Sequence, residues 1–244
     1  MKKYSKKNVI TILLLFQFIY IAAVLYMKND FLYKELNVCS FDVFIYVSTD
    51  IFLAIIFAPM YIFLINSLFD DGISYNYVLK KRSFTNVFID RCKILICFDA
   101  LFSLYHCLSI FLWCKLLGVK FFTWKNTTSV LLLYTRKNYT GELKILILKC
   151  FLYEFLIILL ISMLTIFSNW FINKIFPSVF VIIYGCLEFR VTKLGFLGKI
   201  YYKYANFRFD YKEKDMFITI AFATIIIFLL GIILSTRKEL PNDL

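Results

Sequence analysis

The 244-residue chain is 61% hydrophobic and 20% aromatic, only 18% charged, and carries a formal net charge of +12 with a mean hydropathy of +0.77. Ordinary soluble domains hold roughly 45–50% apolar residues and still expose about a quarter of their unfolded surface, so this composition excludes a soluble globule and, equally, a disordered chain. The excess of bases falls between apolar runs, where Lys and Arg orient a chain and meet anionic lipid, so lipid is the expected partner and nucleic acid is not.

A membrane-spanning helix needs about 20 mostly apolar residues. Six stretches approach that length: residues 9–27, 50–69 (preceded by an interfacial piece from Phe41), 94–117, 149–167, 170–187 and 216–235. The first follows a basic Met-Lys-Lys-Tyr-Ser-Lys-Lys start that mimics a secretory signal, but its apolar run is too long and lacks a small-residue cleavage site, so a retained helix is expected. The fifth is the weakest, interrupted by Asn173, Lys174 and Pro177. The fold class expected is all-α: one polytopic membrane domain over residues 1–244, with six transmembrane helices and a short cytoplasmic amphipathic helix between the second and third.

Lys2, Lys3, Lys6 and Lys7 precede the first span, and only Lys28 and Lys34 separate it from the second. The positive-inside rule then puts the N-terminus in the cytoplasm, and six crossings return the C-terminus there. Charge summed over all loops chooses no orientation, because Lys120, Lys125, Arg136, Lys137 and Lys144 after the third span and seven Lys/Arg between Arg190 and Lys214 after the fifth fall on the expected outer side. Seven cysteines without a CxxC argue against a disulfide or zinc framework. Cys39 and Cys186, both near the expected outer face, form the one candidate pair.

Much chemistry is missing from the sequence. One histidine, no HExxH, no G-x-S-x-G and no P-loop leave no catalytic, metal or cofactor residues to assign; Gly195 to Lys199 has the wrong spacing for a phosphate loop. An enzyme is not expected, and any ATP would be hydrolysed on a separate subunit. Ionisable residues at membrane depth are few, and such residues are functional candidates by default. Asp99, His106 and Glu154 are the candidates here, with Asp50 at the interface. Each has a plainer reading beside the functional one. Asp50 caps the second span, Asp99 pairs with Arg91 or Lys93, Glu154 snorkels outward, and His106 makes an interhelical hydrogen bond. Asp99 and His106 are seven residues apart on one helix face, the stacking a proton relay needs.

The segment from Phe69 to Lys93 is polar without being rich in Gly or Pro. Phe84, Val87 and Phe88 at i, i+3 and i+4 predict a short amphipathic helix on the inner membrane surface. Two functions fit it: a lipid-binding helix, or a docking helix pressed on a cytosolic motor. The stretch Tyr77-Val78-Leu79-Lys80-Lys81-Arg82-Ser83-Phe84 is similar to a Tyr-apolar-x-x-Arg-Ser pattern, and the last span ends in a short basic exit, Leu234-Ser235-Thr236-Arg237-Lys238-Glu239-Leu240. With six spans and no ATPase of its own, the chain resembles the membrane subunit of a type-2 ABC transporter, of the small Gram-positive peptide or bacteriocin export or immunity kind.

That resemblance implies an ATP-binding-cassette ATPase and a second permease subunit, the same or different, as partners. It implies docking through Tyr77, Lys80, Lys81, Arg82, Phe84, Val87, Phe88, Asp90 and Arg91, and short re-entrant helices between Glu188 and Asp215. The expected function is movement of an amphipathic peptide or lipid-like substrate across the cell membrane, with ATP hydrolysed by the partner. Two rivals stand beside it: a stand-alone membrane immunity or lipid-binding protein without a motor, and a proton-coupled secondary transporter using Asp99 and His106.

Overall fold

Apolar segments in lipid have no water for their amides, so they close their backbone hydrogen bonds internally as helix. The computed structural model, which describes residues 3–32, 36–49, 52–69, 83–136, 139, 141–190 and 213–237, follows this rule. Its helices are α1 (Lys3–Leu32), α2 (Ser40–Val47), a π-helical segment (Phe52–Phe57) running into α3 (Ala58–Phe69), α4 (Phe84–Leu116), α5 (Val130–Thr135), α6 (Leu143–Phe171), α7 (Phe176–Arg190) and α8 (Glu213–Arg237).

Four stretches are long and apolar enough to cross a membrane: Lys7–Asp30, Phe84–Leu116, Leu143–Phe171 and Phe217–Arg237. The pair Ser40–Val47 and Phe52–Leu68, bent by 63°, makes a fifth if it acts as one span. The chain is therefore an all-α, multi-pass membrane protein. Large side chains such as Phe18, Leu101, Leu108, Phe222 and Ile225 point outward, where lipid rather than protein meets them.

The helix layout departs from the sequence expectation in two places. The predicted span over 170–187 is divided. Trp170 and Phe171 finish α6, an Asn173 turn follows in which Oδ1 accepts from the Ile175 amide at 3.2 Å, and Pro177 lies in the first turn of α7. Pro suits that position because the first amides of a helix have no intrahelical acceptor. At 15 residues α7 is about 22 Å long, short of a hydrocarbon layer of about 30 Å.

The second departure is the surface helix. Phe84 to Arg91 are not a separate element but the first turns of the 33-residue α4, begun by an N-cap at Ser83 and unbroken by Gly or Pro. Val87 and Phe88 are buried, with the Phe88 ring 5.5 Å from that of Trp170 and 6.2 Å from that of Phe228. An apolar i, i+3, i+4 face serves a membrane surface and a helix bundle alike, and here the bundle takes it.

Side-chain pairings fix the helix directions. Along α1 and α4, Gln17 lies beside Tyr105 and Ser109 while Lys28 reaches the Leu117 carbonyl at 2.8 Å, so the two run parallel. Asp99 faces Ser162 and His106 faces Glu154, so α4 and α6 are antiparallel. Ser235 meets Thr85, which makes α8 antiparallel to α4, and Asn169 donates to Asn66 at 2.7 Å where α3 and α6 end. The start of α1, the ends of α3, α6 and α8, and the start of α4 therefore share one end of the bundle.

The opposite end is closed by a small cap built from residues 36–49, 117–136 and 139. Gly118, at φ +74°, ends α4 in a left-handed turn, with the Val119 amide bonded to the Cys114 carbonyl at 2.8 Å. Two short parallel bridges, Asn37 with Ser129 and Cys39 with Lys120, tie the two segments together. Inside, Asp42 accepts from the Cys39 amide and from Trp124 Nε1, both at 2.7 Å, and Phe41 packs among Phe111, Phe121, Phe122 and Trp124. The expected interfacial piece from Phe41 is thus helical and buried. Cys39 is buried and Cys186 exposed, and both are free thiols, which removes the suggested pair.

Candidate functional site

Three of the ionisable side chains singled out by sequence converge in the interior of the bundle. Asp99 is the middle of α4, fifteen residues from its start, and His106 is two turns further along the same face. Glu154 and Ser162, eight residues apart on antiparallel α6, come level with them. The result is two polar tiers about 10 Å apart along α4, a spacing set by seven residues of helix rise.

The first tier surrounds Asp99, which is fully buried. Its Oδ1 accepts from the Tyr61 hydroxyl on α3 and from Ser162 Oγ on α6 at 2.8 Å. Tyr61 and Ser162 are themselves 3.1 Å apart, but each hydroxyl has one proton and both protons are directed to the carboxylate. Ser103 spends its own proton on the Asp99 backbone carbonyl at 2.7 Å. One carboxylate oxygen is therefore doubly bonded, and the other, Oδ2, has no hydrogen-bond partner among the described residues.

The second tier surrounds His106. Its Nδ1 and the Tyr20 hydroxyl on α1 are 2.6 Å apart, and its Nε2 lies 3.5 Å from Glu154 Oε1. That second contact has ion-pair range without hydrogen-bond alignment. The carboxylate favours the ring proton on Nε2, which leaves Nδ1 to accept from Tyr20. Glu154 Oε2 is 3.5 Å from Ser48 Oγ, whose proton goes to the Phe44 carbonyl at 2.8 Å. Ser48 stands where α2 ends and the 63° bend begins, so the broken segment touches the buried carboxyl. Phe57, at the end of the π-helical segment, packs edge-on against His106 at 4.9 Å and stacks near Tyr61 at 6.1 Å, separating the tiers with an apolar ring. Short π-helical stretches recur at functional sites.

The bland readings of these residues fare differently. Asp99 does not pair with Arg91 or Lys93; it turns inward to Tyr61 and Ser162 because it lies on the face of α4 that packs on α6, which the Tyr61 side chain of α3 also reaches. Glu154 does not snorkel: it is 1% exposed and held between α2, α4 and α6. His106 does make the interhelical hydrogen bond expected of it. Asp50 and, of the docking set, Tyr77, Lys80, Lys81 and Arg82 lie outside the described residues. Phe84, Val87, Phe88, Asp90 and Arg91 belong to α4 as described above.

Sequence reasoning missed Tyr20, Ser48, Tyr61 and Ser162. The available signal was a hydroxyl inside an apolar run, which by itself does not say which carboxyl it serves. Among the described residues, no three His, Cys, Asp or Glu side chains gather in a way that could hold a metal ion.

A different surface lies on the far side of α6. Ile157, Leu160, Ile161 and Leu164 face Phe180 and Val181 of α7 and Ile220, Ala223 and Ile227 of α8 across a cavity of about 300 Å³. Its lining is almost wholly hydrocarbon and ring, suited to an acyl chain or an apolar side chain rather than to an ion. No protein-family model, no curated protein and no solved structure matches the chain.

Proposed function

We propose that the chain is the membrane subunit of a type-2 ABC transporter in the cell membrane, moving an amphipathic peptide or lipid-like substrate with ATP hydrolysed by a separate partner. One observation carries the reading: α3 ends and α4 begins at the same end of the bundle as the start of α1 and the end of α8. The connection that contains Lys80-Lys81-Arg82 therefore joins helices at the end where both terminal helices begin and finish, which is where a cytosolic ATPase would dock under the positive-inside rule. In this reading six helix passes alternate in direction, the fifth made by the short α7, and both termini are cytoplasmic. Two such subunits pair above two ATPases. The apolar cavity between α6, α7 and α8 gives the substrate's hydrocarbon part a place to bind, and coupling requires that the substrate bind the two conformations of the bundle unequally.

Affinity purification of the tagged chain from its own membranes in mild detergent tests this. An ATP-binding-cassette subunit accompanies the wild type and is lost when Lys80, Lys81 and Arg82 are changed together to Glu. A chain that is isolated alone and still transports would overturn the reading. In that event the buried Asp99, His106 and Glu154 favour the second reading, a secondary transporter, since carboxyl and imidazole groups facing a bundle interior mark ion and proton pathways.

A further inference from the structure

We propose that Asp99 is the seat of an exchangeable monovalent cation, a proton or a sodium ion, held at its bare Oδ2 between α3, α4 and α6. The inference is independent of which energy source drives transport.

The argument is one of charge and hydrogen counting. An ionised carboxylate moved from water into an apolar interior without a counter-charge is destabilised by several kcal/mol. Asp99 is fully buried, and no Lys or Arg among the described residues pairs with it. The groups facing it on every packed element are neutral hydroxyls: Tyr61 from α3, Ser162 from α6 and Ser103 on α4 itself. The other ionisable groups of the bundle interior, His106 and Glu154, lie two turns away and are engaged with one another. α8, which packs on α4 and α6, carries no titratable side chain between Phe217 and Ser235. Two hydroxyl donors converge on Oδ1, so that oxygen is stabilised as an acceptor, while Oδ2 is buried with no hydrogen-bond partner among the described residues.

A single positive charge at Oδ2 resolves both deficits. A proton there makes a neutral acid that keeps its two accepted bonds on Oδ1. A sodium ion there would draw further oxygen ligands from Ser162 and Tyr61, hard donors of the type such ions take. The two share one chemistry and differ in what competes for the site. Neither can be replaced by a divalent metal, since the tier supplies one carboxylate only.

The test uses the purified full-length chain in lipid nanodiscs. Thermal unfolding is followed in Na⁺ against K⁺ at constant ionic strength, and infrared difference spectra are taken between acid and alkaline pH. If sodium is the occupant, Na⁺ stabilises the wild type in proportion to the logarithm of its concentration, and Asp99→Asn abolishes the dependence. If the proton is the occupant, a protonated-carboxyl band titrates with no response to Na⁺ and disappears in Asp99→Asn; a Glu154→Gln background removes the other carboxyl of the tiers from the spectrum and leaves buried Asp42 of the cap as a contribution common to both variants. Should Asp99→Asn fail to fold, Ser162→Ala retains the carboxyl but removes one donor, and shifts the Na⁺ or pH midpoint about fivefold, the worth of one hydrogen bond. A wild type with neither Na⁺-dependent stabilisation nor a titrating carboxyl band overturns the proposal. So does either signal persisting unchanged in Asp99→Asn, or an unmoved midpoint in Ser162→Ala.

Discussion

α6 has two sides, and they are built on opposite principles. Toward α3 and α4 it presents Glu154 and Ser162 to partners that are directional: a carboxylate accepts only where a hydroxyl aims, and a ring nitrogen only in its plane. Toward α7 and α8 it presents Ile157, Leu160, Ile161 and Leu164, which pack by shape alone. In lipid the apolar side gains little from the hydrophobic effect, because lipid tails are as apolar as leucine. The polar side therefore sets register, and the apolar side can open and refill without stranding a polar group.

The sharpest way to break this comparison is to remove one member of the polar side. Glu154→Leu leaves His106 without its carboxyl neighbour and is expected to cost about 3 kcal/mol, while His106→Leu with Glu154→Leu recovers part of that loss because the two buried ionisable groups go together and only the Tyr20 hydroxyl loses its acceptor. Reversible unfolding in mixed micelles measures both; a double variant as unstable as the sum of the singles would mean the pair does not set register.

Next in size comes the contact where α8 meets α4. A Cβ added at Gly231 would lie 2.1 Å from Phe88 Cζ, and that ring is held by Trp170, Phe171 and Phe228. Gly231→Ala is expected to cost about 2 kcal/mol through overpacking. Phe88→Leu should restore much of it in the same assay, since the strain belongs to this one pair.

On the apolar side the effects are smaller. Ile220→Val should cost about 1 kcal/mol and add to Glu154→Leu without coupling beyond about 0.5 kcal/mol. Strong coupling measured between them would show the two sides of α6 to be one unit. Smallest of all is the α1–α4 contact, where Gln17 donates to Tyr105 and to Ser109 and accepts from Trp113 Nε1 at 2.6 Å. Interhelical hydrogen bonds in membranes average about 0.6 kcal/mol, and Ser109→Ala, which removes one of these, should cost about that much.

The same contrast explains what could be read before folding. The apolar runs of α1, α4, α6 and α8 are long enough to be seen in the sequence, because a bilayer demands continuous hydrocarbon and backbone self-satisfaction within one segment. His106 and Asp99 stand out for a related reason, as isolated polar groups in those runs. Their partners do not stand out. Tyr61 and Ser162 are 101 residues apart and meet only because α3 packs on α6. Asp42 and Trp124 are 82 residues apart and make the buried heart of the cap. The amphipathic pattern at Phe84, Val87 and Phe88 was visible, but a pattern of period 3.6 does not say whether lipid or protein covers it.

Composition and hydrophobic run length by themselves determined that this chain lives in a membrane as helices, since those quantities are summed along the backbone and need no knowledge of neighbours. Tertiary structure alone decided which hydroxyl faces which carboxyl, that protein covers the first turns of α4, and that one oxygen of Asp99 meets no hydrogen-bond partner among the described residues. Those outcomes depend on helix direction and rotation, which packing selects and local sequence leaves open.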